Sequence, residues 1–172
     1  NVAVGASAHQ ALTTGINNVA IGTSALAAST TGCQNVAIGN LALGVGEVTG
    51  KCNVAIGLQA GEDISSGTDN TIVGFGAYQQ GTTGCSNIAI GRAAMGTGIS
   101  TGNYSIGIGI QAMVAATSAA SSIGIGFQAG CSVTTHSCVI NIGHVANSTT
   151  AGTTCIGGTC LMSTQFTATS DC

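Results

Sequence analysis

The sequence predicts an all-β fold, a parallel β-solenoid (β-roll) of about ten coils with 17–18 residues in each coil. Two observations predict it. A phrase of the type Asn-Val-Ala-Ile-Gly recurs nine times in register, and its residues alternate between β-branched and small side chains. Alternation with a period of two is the pattern of a strand. A repeat of this length cannot bury an apolar face alone, so successive copies must stack into a rod.

The glycine that closes each phrase sets the period. Successive closing glycines are separated by 17 or 18 residues, apart from the last step of 14. An Ala stands three residues after each of the first nine, and a Thr/Ser cluster followed by Gly commonly completes the unit. We assign residues 1–160 to the solenoid and residues 161–172 to a degenerate C-terminal cap or docking tail. The closing glycines are Gly5, Gly22, Gly39, Gly57, Gly74, Gly91, Gly109, Gly126, Gly143 and Gly157.

Each phrase predicts one firm strand with two unlike faces. One face is β-branched and apolar, which suits a buried strand, so we expect it to form the core. The other face carries Asn, Ala and Gly. We expect a second, less regular strand around the Gly-x-x-Ala stretch. The predicted core residues are Val19, Ile21, Val36, Ile38, Val54, Ile56, Ile88, Ile90, Ile106, Ile108, Ile123 and Ile125.

The Asn that opens each phrase predicts a ladder along the rod. Stacked copies place these amides one above another, so each side chain can bond the next coil. We interpret the row as structural and not as a binding site. Its members are Asn18, Asn35, Asn53, Asn70 and Asn87.

The composition excludes several classes of protein. The 172 residues include only two Lys or Arg and five Asp or Glu, with a formal net charge of −3. We therefore expect no nucleic-acid partner, because nothing supplies a basic surface. No apolar stretch reaches the roughly 18 residues of a membrane span, so we expect no membrane insertion. The chain opens at Asn1 in the middle of the repeat pattern and without a Met, and we interpret it as a processed or excised piece.

The unit Asn-Val-Ala-Ile-Gly-x-x-Ala, as in residues 18–25, resembles the head repeat of trimeric autotransporter adhesins. It is equally similar to the Asn-x-Ala-Ile-Gly…Thr-Thr-Gly repeats of phage tail fibres. The resemblance covers residues 1 to about 146. It implies a left-handed β-roll, a homotrimer and a structural or adhesive role, and the 17-residue period favours the fibre-type variant. The small face would then be the contact between subunits, or else it faces water; its members are Ala20, Ala37, Ala55 and Ala89.

The eight Cys predict an oxidising, extracellular location and a set of disulfide candidates. Cys33 and Cys52 occupy nearly the same place on adjacent coils, within reach of a disulfide. Cys85 is either a buried thiol or an interchain bridge. A zinc site is the competing interpretation, but no ligand motif is present, so we predict no metal and no cofactor. The C-terminal quarter adds Cys131, Cys138, Cys155, Cys160 and Cys172, of which Cys172 could bridge subunits.

Two short motifs predict glycosylation, and no motif predicts catalysis. Asn103-Tyr104-Ser105 and Asn147-Ser148-Thr149 are N-glycosylation sequons. The chain has no nucleophile elbow, and its Gly-x-Gly strings belong to the repeated strands. We therefore expect a protein that is not an enzyme.

The leading hypothesis is a structural, extracellular fibre or filament subunit, or an adhesin-head-like shaft. It would assemble with itself as a homotrimer, or head to tail, because Asn1 begins directly in a strand phrase without a cap. The first alternative is ice binding by a Thr row, although its adjacent Thr-Thr pairs beside Gly are a turn pattern. That row comprises Thr13, Thr30, Thr49, Thr68, Thr82, Thr101, Thr117 and Thr134.

The second alternative is a module that binds a cell-surface receptor or a glycan. It would depend on aromatic side chains exposed on the rod, and these do not form a repeated stripe. The candidates are Phe75, Tyr78, Tyr104, Phe127 and Phe166.

Overall fold

A computed structural model of the chain is a β-solenoid of about nine turns. It describes residues 1–98, 100–148 and 150–157, and the backbone of residues 159–162. Each coil contributes one short strand to a single sheet whose spatial order follows the chain order. The strands are β1 (Val2–Val4), β2 (Val19–Ile21), β3 (Val36–Ile38), β4 (Val54–Ile56), β5 (Thr71–Val73), β6 (Ile88–Ile90), β7 (Ile106–Ile108), β8 (Ile123–Ile125), β9 (Ile140–Ile142), β10 (Thr153–Ile156) and β11 (Thr159–Met162).

The first ten strands are parallel and in step with the repeat. Val2 pairs with Val19, and Val19 pairs with Val36, so equivalent residues of successive coils lie side by side. The predicted parallel solenoid is therefore confirmed. The last pairing differs, because β11 runs antiparallel to β10 and places Cys160 opposite Cys155. A reversed strand cannot continue the parallel ladder, so the repeat stops there.

The closing glycine ends each strand for two reasons. Its φ is about 120–135° from Gly5 to Gly143, a region that L side chains rarely adopt. A Cβ on Gly39 would also collide with the carbonyl oxygen of Gly57, the equivalent residue one coil further on. Equivalent glycines stack in this way along the rod, which explains why this position of the repeat does not vary.

The predicted second strand is wrong. The residues after the closing glycine form a turn, in which positions such as Ser24 and Leu26 have φ near +50°. This alternation bends the chain where a strand would keep it extended. Hydrogen bonds still connect the coils here, as from the Leu26 N–H to the Ala42 carbonyl oxygen at 3.0 Å.

The core lies between the middle residues of the strands and the turn that follows them. The strand centres Ala20, Ala37, Ala55 and Ala89 are fully buried, as are the turn alanines Ala25 and Ala42. The prediction of the two strand faces is therefore wrong, because the small Ala row points inward and the Val and Ile row points outward. The physical reason is space: large turn side chains such as Leu26, Leu43 and Met95 are fully buried in the interior, which leaves room for only a small residue at most strand centres.

Where a core side chain is large in one coil, a glycine in the adjacent coil can make room for it. Ile72 replaces alanine at the centre of β5, and Gly61 lies against it, where a Cβ would stand 2.9 Å from Ile72 Cδ1. The opposite exchange occurs in β7, where glycine at the centre makes room for a larger side chain. A Cβ on Gly107 would stand 2.8 Å from Met95 Cγ. The packing is therefore complementary from one coil to the next, as a close-packed interior requires.

The phrase-opening asparagines form a buried ladder along the rod. Asn53 Nδ2 donates to the Gly67 carbonyl oxygen at 2.9 Å, and Asn53 Oδ1 accepts the Asn70 N–H at 3.1 Å. Both contacts recur at 2.7–3.0 Å in the other members of the row, each with the corresponding carbonyl oxygen and N–H further along the rod. These members are Asn18, Asn35, Asn70 and Asn87. Ser105 continues the row with its hydroxyl. Each amide therefore satisfies a donor and an acceptor that would otherwise be buried without a partner.

We predict that Asn53→Ala lowers the free energy of unfolding by about 2–3 kcal/mol, because it leaves the Asn70 N–H and the Gly67 carbonyl without partners. Asn53→Ser should cost less, since Ser105 performs the same task in its own coil. Urea titration followed by circular dichroism measures both. The matched control is Asn40→Ala at an exposed asparagine, which should change stability by less than about 0.5 kcal/mol. Equal effects at the two sites would contradict the ladder.

Candidate functional site: the outer face of the sheet

The β-branched side chains of the strands lie on the outside of the rod. Val2, Val4 and Ile21 are at least 38% exposed, and Ile56, Ile90 and Ile125 are 36–38% exposed. The remaining members of the predicted core row are half-buried by stacking on their neighbours in adjacent coils: Val19, Val36, Ile38, Val54, Ile88, Ile106, Ile108 and Ile123. We call the first and third residues of β1–β9 the outer ladder.

The outer ladder is apolar along its whole length. Every member is Val or Ile except Thr71, and none is charged. Nine strands at about 4.8 Å spacing make it roughly 40 Å long. A continuous apolar strip of this length is a candidate for an interaction surface, whereas single exposed apolar residues are not.

A second column of side chains, with large apolar residues at four of its positions, borders the outer ladder. It consists of the residue directly after each closing glycine, and we call it the rim column. Leu58, Phe75, Ile110 and Phe127 in this column are 42–47% exposed. The Phe127 ring stacks on His144, with ring centroids 5.1 Å apart and planes 18° apart. The rim column therefore widens the apolar strip in the coils that carry Leu58, Phe75, Ile110 and Phe127.

The predicted subunit contact is wrong in its residues. Ala20, Ala37, Ala55 and Ala89 have no exposed surface, so no second chain can reach them. The Val and Ile side chains of the outer ladder, which the sequence predicts to be core, are the ones available for contact. The rim residues Leu58 and Ile110 were missed, although an apolar residue after the closing glycine in several coils is a visible signal.

The predicted Cys33–Cys52 disulfide is absent, and both residues are free thiols. The reason is a difference of one residue in the coil: Cys33 lies beside Lys51, and the Cys52 N–H bonds the Cys33 carbonyl oxygen at 3.2 Å. The Cys33 Sγ instead contacts the Thr31 carbonyl oxygen. Cys85, Cys131 and Cys138 are also free thiols. Cys172 and the side chain of Cys160 lie outside the described residues.

The two sequons differ in their surroundings. Asn103 accepts the Cys85 N–H at 2.7 Å, and the hydroxyl of its sequon residue Ser105 is buried and donates to the Ala119 carbonyl oxygen. Asn147 accepts the Ser132 N–H at 3.2 Å, and the third residue of its sequon, Thr149, lies outside the described residues. Glycosylation of either site stays a prediction.

The Thr row does not form one regular array. Thr13 Oγ1 donates to the Thr30 carbonyl oxygen, and Thr117 Oγ1 donates to that of Thr134. Thr49, however, is aligned with Ser65 in the next coil and not with Thr68. The threonine hydroxyls thus lie on turns, and some of them donate to the next coil. Because the threonines are not aligned from coil to coil along the whole rod, they form no flat, regular array.

A buried carboxylate stands on the turn side without forming a metal site. Glu62 accepts Gln79 Nε2 at 2.7 Å and Gln59 Nε2 at 3.3 Å. Burial, with a contribution from Glu62, raises the pKa of the neighbouring Asp63. The described part of the chain contains no pocket and no group of three His, Cys, Asp or Glu side chains able to hold a metal ion. No helix among these residues is long and apolar enough to span a membrane.

The aromatic candidates are divided by burial. Phe75, Phe127 and Tyr104 are exposed, whereas Tyr78 is fully buried; Phe166 lies outside the described residues. Tyr78 Oη accepts Asn87 Nδ2 at 3.0 Å and donates to the Ser100 carbonyl oxygen at 3.5 Å. Tyr78 therefore packs in the core and is not a ligand contact, which corrects its assignment as an exposed aromatic.

Comparison with known proteins identifies no relative: no family model, curated protein or solved structure matches the chain. The candidate site therefore has to be interpreted from its own geometry.

We predict that Tyr78 destabilises the fold at high pH. Burial raises the pKa of its hydroxyl above the ordinary value near 10, against the opposing effect of its hydrogen bonds to Ser100 and Asn87. The pKa of Tyr78 is higher in the folded chain than in the unfolded chain. The stabilisation that the neutral Tyr78 hydroxyl provides is therefore complete below about pH 10, and it is lost as the pH rises through the folded pKa. Denaturant titrations between pH 7 and pH 12 should show a steeper loss in wild type than in Tyr78→Phe.

The control for this prediction is Tyr104→Phe, because Tyr104 is 66% exposed. It should leave the alkaline slope of wild type unchanged, because the hydroxyl that it removes does not lie in the core. Tyr78→Phe should itself cost about 1 kcal/mol at pH 7 through the lost hydrogen bond. Parallel slopes for wild type and Tyr78→Phe would contradict the assignment.

Proposed function

We propose that the chain is a non-enzymatic structural protein, a segment of an extracellular fibre or filament that assembles with itself as a homotrimer of left-handed β-rolls. One observation carries the proposal: the outer ladder is an apolar face that runs along β1–β9, and its Val and Ile side chains stay partly exposed among the described residues. The resemblance of the repeat to adhesin heads and phage tail fibres supports the handedness and the number of chains.

A second copy of this chain is the partner that fits the outer ladder best. The face repeats at the rise of one strand, about 4.8 Å, and the same β-branched side chains recur at each level. A copy placed parallel to it offers the same rise and the same chemistry at every level, so side chains can interdigitate along the whole length. Three copies around an axis parallel to the rod would bring three outer ladders together in one closed, symmetric interface.

The distribution of charge agrees with this arrangement. The outer ladder contains no charged residue, and the exposed side chains of Glu47, Lys51 and Asp69 belong to other parts of the coil. Association would therefore desolvate no ion at the centre of the interface, where an unpaired charge is most costly. Arg92, in the rim column, would remain at the polar edge that interfaces typically keep.

The mechanical role follows from the direction of the bonds. Backbone hydrogen bonds and the Asn ladder connect each coil to the next along the rod. The interface would hold the rods side by side, so the axial and lateral contacts are supplied by different residues. Such an assembly resists bending and proteolysis without any binding pocket, and a receptor or glycan partner would be an addition to this role.

We predict that the native mass without denaturant is near three times 16.5 kDa, as measured by light scattering coupled to size exclusion. The double variant Ile56→Lys/Ile90→Lys should be monomeric, because it buries ammonium groups in the centre of the interface. Both side chains are exposed in the single chain, so circular dichroism should show an intact fold.

The matched control places the same charges on the turn side, as Thr14→Lys/Thr83→Lys at two exposed threonines. This variant should keep the mass of wild type. A monomeric wild-type protein would contradict the proposal. A trimer unaffected by Ile56→Lys/Ile90→Lys would locate the interface elsewhere and contradict the role of the outer ladder. Adding a reductant should leave the mass unchanged, because the proposed contact is non-covalent.

A further inference from the structure

We propose that Thr71 fixes the axial register of the assembly, an inference that rests on the proposed self-association through the outer ladder. A ladder of nearly identical levels has a problem of specificity. If two copies slide by one coil, they lose only one level of contact at each end, while all the others are replaced by equivalent ones. Some residue must therefore make the correct alignment better than the shifted ones.

Thr71 is the one polar residue of the outer ladder. It is the first residue of β5, in a column where β1–β4 have Val and β6–β9 have Ile. Its side chain is exposed, and none of the hydrogen bonds among the described residues involves its hydroxyl. The hydroxyl is therefore available to a partner, and it needs one as soon as this face is covered.

The fifth coil is altered on both faces together. Its phrase is Asn70-Thr71-Ile72-Val73-Gly74, with the polar residue outside and the bulky residue inside. Ile72 fits only because Gly61 leaves space for it. Gly61 of the same chain thus makes room for the Ile72 side chain, whereas none of the described residues in a single copy bonds the Thr71 hydroxyl. A partner at the same level would supply that hydrogen bond.

Cyclic symmetry brings the Thr71 residues of all copies to one level. There the hydroxyls can donate to and accept from one another, in the way that a single buried polar residue sets the register of a coiled coil. A shift by one coil would instead bury each Thr71 against Val54 or Ile88 of a neighbour. A buried hydroxyl without a partner weakens association by about tenfold or more. Each copy in the assembly would incur this loss.

The next polar residue in the column does not undo this selection. Thr154 of β10 follows Ile140 in the same column, five strands after Thr71. Two copies shifted by five coils would match Thr71 with Thr154 but would leave half of the outer ladder uncovered. The aligned arrangement therefore satisfies the hydroxyls and covers the apolar face at once.

The test uses the full chain under reducing conditions and native mass spectrometry. Wild type should form one discrete species. Thr71→Val, which removes the hydroxyl at nearly constant volume, should associate at least as tightly but give additional, heavier species, because shifted copies leave open ends that recruit more chains. Thr71→Ser keeps a hydroxyl at this position and should give the wild-type pattern.

A mixing experiment tests register directly. The variant Val36→Thr/Thr71→Val moves the hydroxyl two coils along the rod and should again form one discrete species. When it is refolded together with isotope-labelled wild type, mixed oligomers should be at least about tenfold rarer than random mixing gives, since the hydroxyls then lie at different levels. The control Val36→Ile should mix with wild type at random.

The outcomes separate this inference from the proposed function. A monomeric wild type overturns both. A discrete wild-type oligomer, with Thr71→Val equally discrete and the moved hydroxyl mixing at random, overturns the role of Thr71 and leaves self-association intact. Selective mixing together with heavier Thr71→Val species supports both. Circular dichroism of each variant should show that its fold is unchanged, because Thr71 is exposed and Val36 is only half-buried in the single chain.

Discussion

The narrow interior of the coil is the constraint on which the rest of the structure depends. Ala20 of a three-residue strand and Ala25 of the turn that follows it belong to one core, and both are fully buried. Large turn side chains such as Leu26, Leu43 and Met95 are also fully buried and occupy much of this interior. At the strands the chain therefore keeps mostly small side chains inside and carries Val and Ile outside, which reverses the usual relation between size and burial at these positions.

This reversal transfers part of the stabilisation from apolar burial to hydrogen bonding within the chain. An alanine at a strand centre buries little surface, so the strands contribute less apolar burial than the turns, where Leu26, Leu43 and Met95 are fully buried. The coils are instead joined by backbone hydrogen bonds on the strand and on the turn, and by the asparagine ladder that satisfies the carbonyl oxygens of Gly32, Gly67 and their equivalents. The apolar surface of the outer Val and Ile side chains remains partly exposed on the outside of the rod.

The sequence alone predicts the period, the parallel strands and the position of the asparagine row, because these depend on repeated residues at fixed spacing. It does not predict which face points inward, since alternation with a period of two is the same for either orientation. The decision depends on the width of the coil, and that width follows from the turn conformation at residues such as Ser24 and Leu26. The predicted Cys33–Cys52 pairing is wrong for a related reason, because one residue of offset between the two cysteines changes their neighbours.

The two faces of the strands vary differently, and the difference bears on what covers the outer one. Strand centres change from Ala37 to Ile72, Gly107 and Asn141, and each change is matched by a neighbouring coil or a hydrogen bond. The outer positions change only between Val and Ile, with Thr71 as the exception. Strand propensity favours β-branched residues at these positions, but it favours threonine as well, so a surface that met only water would be expected to carry threonine more often. Uniformity on the outside and local compensation on the inside are the pattern expected when the outer face must match a partner along its whole length.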